Sequence, residues 1–511
     1  MNTTQKAEKI FAEGHAAHQR GDVGRAAAAY QQVLEISPTH ADALHLLGVI
    51  ALSQSRLPLA EELITRSLTH RPHLLPALAN LGLLYRRTGR HDEALAVYQR
   101  GLQVQDNHLS LLLGMAEALH DKNTFEEAHV YFVKAAQHHA HDAGAWHGVA
   151  RNALRLGLIE DADNANAKAL HSNPAHRLYR NTQGLILQNK KQFSDAKNIF
   201  ESLHAEDPDN PQWLINLGLL ELSLGDYARG FAHYDARHNL AAIFPHMPVW
   251  RGEDLSRATL LVHGEQGLGD CLLFARFLPH VAARAQKVII TADPTLIPLL
   301  RRSFPHLHVA SRLEALPAAD VQTVLLSLPH HLGVSEPAQT ITPYLVANPV
   351  MQAAWAEKLG KFPKPWVGVA WAGNPDHVTD YQRSVGMHRL LSTLQPFVGA
   401  GTFFSLQKNA DEDALQKNYP FVISLAPHLN SYDDTAALLT QLNTLVCSDT
   451  SLVHAAGALG VPCHVLLHHD PFWVFGTAGD KTPWYPTLTL HRQPSPRDWA
   501  GCLQSLIKKL F

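Results

Sequence analysis

The chain has 511 residues, of which 46% are hydrophobic and 17% charged, and a formal net charge of −3. This length predicts several domains with packed cores, and the near-neutral balance excludes a chain that binds nucleic acid mainly through charge. No apolar run is long enough to span a bilayer, and the start, MNTTQKAEKIFAEG, lacks an apolar signal core, so the expected compartment is the cytoplasm.

In chain order, the first feature is a helical pattern repeated seven times at 34-residue intervals. Its first small residue falls at Gly14, Gly48, Gly82, Ala116, Ala150, Gly184 and Gly218. Its second falls twelve positions later, at Ala26, Ala60, Ala94, Ala128, Ala162, Ala196 and Gly230. Larger apolar residues, Tyr30, Ile64, Tyr98, Phe132 and Phe200, follow one helical turn on and are expected to fill the space between units. Pro38, Pro72, Pro174 and Pro208 close four of the units. Two short antiparallel helices cross closely only where the crossing residue is small, and neither is stable alone. The pattern resembles the tetratricopeptide repeat (TPR). That resemblance implies an α-solenoid over residues 1–238 whose concave groove holds an acceptor protein.

The seventh repeat is expected to fray after Gly230. Residues 239–257 read as a packed connector rather than a flexible linker, since Gly/Ser bias is missing. From Ala258 short apolar runs alternate with helices. Strands are expected at 258–263, 287–292 and 321–327, with a helix from Asp270 to Ala285. A second series has strands at 366–373, 402–407, 421–426, 444–449 and 463–469, and helices at 433–442 and 451–460. A helix around Met351 to Leu359 separates them. Such alternation means parallel sheets covered by helices, here in two lobes, 258–349 and 350–511, the second ending in a C-terminal helix. Ligands of such sheets bind at the carboxyl ends of the strands.

Four loops at those ends carry candidate chemistry. His263-Gly264-Glu265-Gln266-Gly267-Leu268-Gly269-Asp270 lets backbone approach a ligand at Gly267 and Gly269. Asp270 is either a helix N-cap or a general base, with Glu265 and His263 as the next candidates for the base. Gly373-Asn374-Pro375 makes a tight turn, followed by Arg383 and Ser384, which suit an anion unless Arg383 pairs with a carboxylate. Lys408, at a strand end, is either a point charge for phosphate or simply a solvated lysine. Asp449, Thr450 and Ser451 open a helix carrying His454, and helix N-termini bind anions. Asp449 would hold ribose hydroxyls or cap the helix.

Together HGEQGLGD (263–270), WAGNP (371–375), RS (383–384), SLQK (405–408), DTAALL (434–439), DTSLVHAAGALGVP (449–462) and PWYP (483–486) resemble the bacterial TPR-linked glycosyltransferases. Those are GT-B enzymes with two Rossmann-like lobes, related to the heptosyltransferases and similar in architecture to the protein O-GlcNAc transferases. The resemblance implies metal-independent transfer of a sugar from a nucleotide-sugar donor, with no further cofactor. It implies that Asp270 deprotonates the acceptor hydroxyl and Lys408 neutralises the donor diphosphate. Asp449, Thr450, Ser451 and His454 would then hold ribose and phosphates. Flagellin is an acceptor by family analogy. At Pro471-Phe472-Trp473-Val474-Phe475 the chain lacks the acid and Arg usual in that family's segment.

Two other functions fit the same residues: transfer to a lipopolysaccharide or other glycan, and a non-catalytic repeat scaffold with a decayed second half. Cys271, Cys447, Cys463 and Cys502 read as buried thiols. Most of the 34 histidines, including His138-His139, His330-His331 and His468-His469, read as surface or loop residues, and no metal site is expected.

Overall fold

The computed structural model describes residues 3–237, 246–337, 343–375, 377 and 379–510. Part of the expected connector, 239–245, lies outside the described residues. The chain divides into two compact units, Met1–Ile186 and Leu187–Phe511.

Fourteen helices, from Thr3–Gln19 to Tyr227–Tyr234, make up the repeat region among the described residues. Size complementarity builds each pair. A Cβ added to Gly82 would lie 2.4 Å from the Tyr98 ring, and one added to Gly148 would lie 2.4 Å from Phe132. Tyr30, Ile64, Tyr98 and Phe132 are almost wholly buried, as are Ala26, Ala60, Ala94, Ala128 and Ala162. Each aromatic ring buried there contributes about 1.5–3 kcal/mol of transfer free energy. A second period is written in the turns. Gly21, Ser55, Gly89, Asn123, Gly157, Lys191 and Gly225 all have left-handed backbone, with φ between 58° and 86°. The last repeat helix runs four residues beyond Gly230, to Tyr234, and a 3₁₀ turn follows at Asp235–Arg237.

The second unit contains two parallel sheets. The first consists of β1 (Leu255–His263), β2 (Ala285–Ala292), β3 (His308–Ser311) and β4 (Val321–Val324), in the order β3-β2-β1-β4. The second consists of β5 (Trp366–Ala370), β6 (Thr402–Ser405), β7 (Val422–Ser424), β8 (Thr444–Ser448), β9 (Cys463–Leu467) and β10 (Leu488–Arg492), in the order β10-β9-β8-β5-β6-β7. All pairings within the sheets are parallel. β5 is buried along its whole length, as a strand covered on both faces must be. Strand order reverses at β1/β4 in one sheet and at β5/β8 in the other. Such switch points open a crevice beyond the carboxyl ends of the strands.

The elements differ from the sequence expectation in two places. The helix expected from Asp270 to Ala285 is three short pieces, Leu268–Phe274, Ala275–Phe277 and Leu278–Ala282. Pro279 has no N–H to continue the ladder at the second break. Strands β3 and β10 occupy stretches where the sequence showed no strand.

The last repeat helix is part of the second unit's core. Phe231 packs edge-on against Trp473, Trp484 and Phe274 at centroid distances of 5.6, 6.2 and 6.4 Å, and Tyr227 meets Trp484 at 5.1 Å. The two sheets are also tied together. Arg302 donates to Asp433 (Nη2–Oδ2 2.8 Å), and buried Arg276 donates to the Trp484 carbonyl (3.0 Å) with its guanidinium 4.5 Å from the Tyr485 ring.

Candidate functional site

A cavity of about 1420 Å³ lies at the carboxyl ends of β1, β5, β6 and β8. Every candidate residue from the sequence lines it except His263 and Ser384. His263 is instead buried in β1, with Nε2 3.2 Å from Gln322 Oε1, so the base expected as an alternative there does not face the cavity. Glu265 does line it, but its Oε1 accepts from Arg237 (2.9 Å) and from the Leu326 amide (3.2 Å). That carboxylate anchors the loop.

Asp270 is the third residue of helix Leu268–Phe274, not its cap. The cap is Gly267, whose N–H donates to Asp270 Oδ2 at 3.3 Å. Burial pushes the Asp270 carboxyl up to about 6, and the Glu265 charge adds to this. The Gly267 bond and the charges of Arg237 and Arg383 oppose it.

Asp449 is 6% exposed and is likewise pushed up to about 6 by burial, with Asp270 adding and Arg383 opposing. It does not cap the next helix. Thr450 does, accepting from the Leu452 amide at 3.3 Å, while the Tyr432 hydroxyl donates to Ser451 Oγ. His454, one turn on, is buried, with Nδ1 3.2 Å from Tyr485 Oη. Burial, and then the Arg276 and Arg383 charges, lower its pKa to about 3. At neutral pH it offers a hydrogen bond rather than a charge. A Cβ on Gly269 would lie 3.0 Å from His454 Cδ2 and 3.4 Å from Ser451 Cα, so this glycine lets the two helix starts meet. Carboxylates from both sheets thereby share one cavity with Arg383.

The remaining loops are organised by residues that sequence reading missed. Asp380 Oδ1 accepts from the Gly373 amide (3.1 Å), Ser384 Oγ (2.9 Å) and Arg383 Nε (3.4 Å). A Cβ on Gly373 would stand 2.4 Å from that oxygen. Ser384 is spent on this turn. Gln407 Oε1 accepts from the Trp371 and Ala372 amides, both at 2.9 Å, holding the β5 and β6 ends together. A carboxylate three residues before an Arg was a visible signal for Asp380; Gln407 had none, because its partners lie more than thirty residues away. Lys408 lines the cavity, but Nζ donates to the carbonyls of Ala426 (3.2 Å) and Leu429. An ammonium has three donors, so part of its capacity already holds the 426–429 loop.

His468, Asp470, Pro471 and Phe472 add a wall, while Trp473, Val474 and Phe475 are core residues. This wall is clamped from a repeat turn. Gln188 Nε2 donates to Asp470 Oδ2 (3.1 Å), and Lys191 Nζ to the His469 carbonyl (3.0 Å).

Tetratricopeptide repeat families match residues 10–40, 39–107, 79–145 and 181–237. The N-terminal helices are tetratricopeptide repeats. Across most of its length the chain is similar to Protein FlbA of Caulobacter vibrioides, at 24% identity over 529 residues, covering 96% of this chain and 82% of that protein. Among solved structures, Pseudomonas aeruginosa PilF is 16% identical with a TM-score of 0.39, covering 41% of this chain and 96% of that one. YrrB, described as a TPR protein with an unusual peptide-binding site, is 18% identical with a TM-score of 0.30, covering 35% and 96%. Among the described residues no helix is long and apolar enough to cross a membrane.

Proposed function

We propose that the chain is a GT-B glycosyltransferase that moves a sugar from a nucleotide-sugar donor to a polypeptide held by its repeats. The observation that carries this reading is the shared cavity. Asp270 reaches it from the first sheet, and Arg383, Asp449 and the capped helix Ser451–Leu459 reach it from the second. In this reading donor phosphate sits at that helix N-terminus, where backbone N–H groups lack helical partners. Arg383 and the remaining donor of Lys408 supply positive charge, and His454 supplies a neutral hydrogen bond. Asp449 faces the ribose.

The acceptor hydroxyl oxygen then bonds to the anomeric carbon while the bond from that carbon to the phosphate oxygen breaks. The hydroxyl proton passes to Asp270, and the electron pair leaves with the nucleotide. A carboxylate raised to about 6 is a stronger base than an ordinary one and is still mostly ionised at neutral pH. Preformed amides and cations stabilise the leaving phosphate.

Thermal-shift titration with UDP-, GDP-, ADP- and CMP-sugars tests the donor, because a ligand bound only to the native state raises stability by mass action. One nucleotide family is expected to raise the midpoint, and an unchanged midpoint with all four overturns the reading. Mass spectrometry of acceptor proteins incubated with that donor, flagellin among them, then tests the transfer.

A further inference from the structure

We propose that Asp235, His330 and His331 form a zinc-class divalent cation site that clips the turn after the last repeat helix to the helix following β4. The three residues come from two segments far apart in sequence. Asp235 follows helix Tyr227–Tyr234, and both histidines lie on helix Leu328–Leu332. One carboxylate oxygen and one ring nitrogen from each histidine all lie within 4.8 Å of one another. His331 Nε2 stands 4.0 Å from Asp235 Oδ2. Ligands at zinc distances of about 2.0–2.2 Å sit roughly 3.4 Å apart on a tetrahedron, so small side-chain rotations close the set. Two imidazoles and a carboxylate suit Zn²⁺ and its neighbours better than Mg²⁺ or Ca²⁺. Water would complete the coordination.

The surroundings orient these ligands. Ser327 Oγ donates to Asp235 Oδ1, which leaves Oδ2 turned toward His331. Trp250 packs edge-on against the His331 ring at 5.3 Å and 72°. Such outer contacts are what fix metal ligands elsewhere. The cation beside Asp235, Arg237 at 3.9 Å, is already committed to the Tyr234 carbonyl and to Glu265. None of the three ligands lines the cavity, so the site is independent of the proposed transfer and serves to join the repeats to the sheet that carries Asp270. The adjacent histidines thus read from sequence as solvated surface acquire a role only through Asp235.

Calorimetric titration of untagged, chelator-treated full-length protein with Zn²⁺ tests the site, with visible absorption of the Co²⁺ adduct to read its geometry. One Zn²⁺ per chain and the absorption bands of four-coordinate Co²⁺ are expected. Both should vanish in the His330→Gln/His331→Gln variant and persist in a His138→Gln/His141→Gln control. Ser327→Ala, which leaves every ligand in place, should weaken binding by about 10–100-fold. Binding that survives His330→Gln/His331→Gln, or no stoichiometric uptake by the unmodified chain, overturns the proposal. If the double variant fails to fold, Ser327→Ala decides alone, and unchanged affinity there overturns it too.

Discussion

The repeat region and the sheet region solve opposite problems. In the repeats, close helix crossings are apolar fits between a small residue and a larger side chain, as where Tyr98 occupies the space beside Gly82. The buried charge of the last repeat, Glu221, is paired with Lys197, Arg229 and His233. The cavity instead brings Asp270 and Asp449 together in surroundings that resist ionisation. Burying a charge costs stability unless it is paired and hydrogen-bonded, so polar groups gathered in this way point to chemistry rather than to packing.

The sharpest way to break this contrast is at Asp270. Asp270→Asn should lower kcat by about 10²–10⁴-fold, the usual contribution of a positioned base, with donor affinity nearly unchanged. The amide oxygen can still accept from Gly267 and the buried charge is removed, so stability should not fall and should rise somewhat above pH 6. In the unmodified protein, the proposed turnover should fall as pH drops through about 6, because the carboxyl that must be ionised takes up its proton there. Full turnover by the variant would reduce Asp270 to a helix-start residue.

Next in size is the join between repeats and sheets. Phe231→Ala should cost about 3–5 kcal/mol, the range for emptying a buried aromatic site, because its ring meets Trp473, Trp484 and Phe274. By the same reasoning a chain beginning at Leu187 should fold, whereas one beginning at Asn239 should be far less stable. Chemical denaturation of the three proteins measures this. Equal stability of the two truncations would mean that the last repeat merely rests against the core.

Asp449 tests whether the cavity's charge is held at a cost. Its folded pKa is raised, so the native state binds the proton more tightly than the unfolded chain does. Its contribution is therefore most favourable below about pH 4 and is lost as pH rises through about 6. Asp449→Asn should accordingly stabilise the protein by about 1–3 kcal/mol at pH 8, since a tenfold change in proton affinity is worth about 1.4 kcal/mol, and by nothing near pH 4. Donor affinity should fall at the same time. A variant that is less stable at pH 8 would show that Asp449 is held by bonds rather than tolerated.

These effects follow the line between what was legible in the sequence and what was not. Size at a fixed period is a local property, so Gly82, Ala94 and Tyr98 announced the solenoid. The alternating strands were legible for the same reason, except short β3 and the late β10. Partners are not local. Nothing near His263 says that it turns to Gln322, and nothing near Lys408 says that Ala426 and Leu429 hold its ammonium. Asp270 lines the cavity, but its place in the helix was not legible, because a capping aspartate and a third-position aspartate look alike in a Gly-rich stretch.

The smallest expected effect uses one turn position in two repeats. Ser55 and Lys191 occupy the same place in their repeats, and both are held at left-handed φ, 58° and 61°. An L-residue there costs about 1–2 kcal/mol, part of which glycine gives back as unfolded-state entropy. Ser55 is exposed, so Ser55→Gly should raise stability by up to about 1 kcal/mol. Lys191→Gly gains the same relief but loses the bond from Nζ to the His469 carbonyl, on the loop whose Asp470 and Phe472 line the cavity. Its stability should be nearly unchanged, while hydrogen exchange at 468–472 accelerates and donor affinity falls. If Lys191→Gly simply mirrored Ser55→Gly, with exchange and affinity intact, the repeat turn would have no hold on the site.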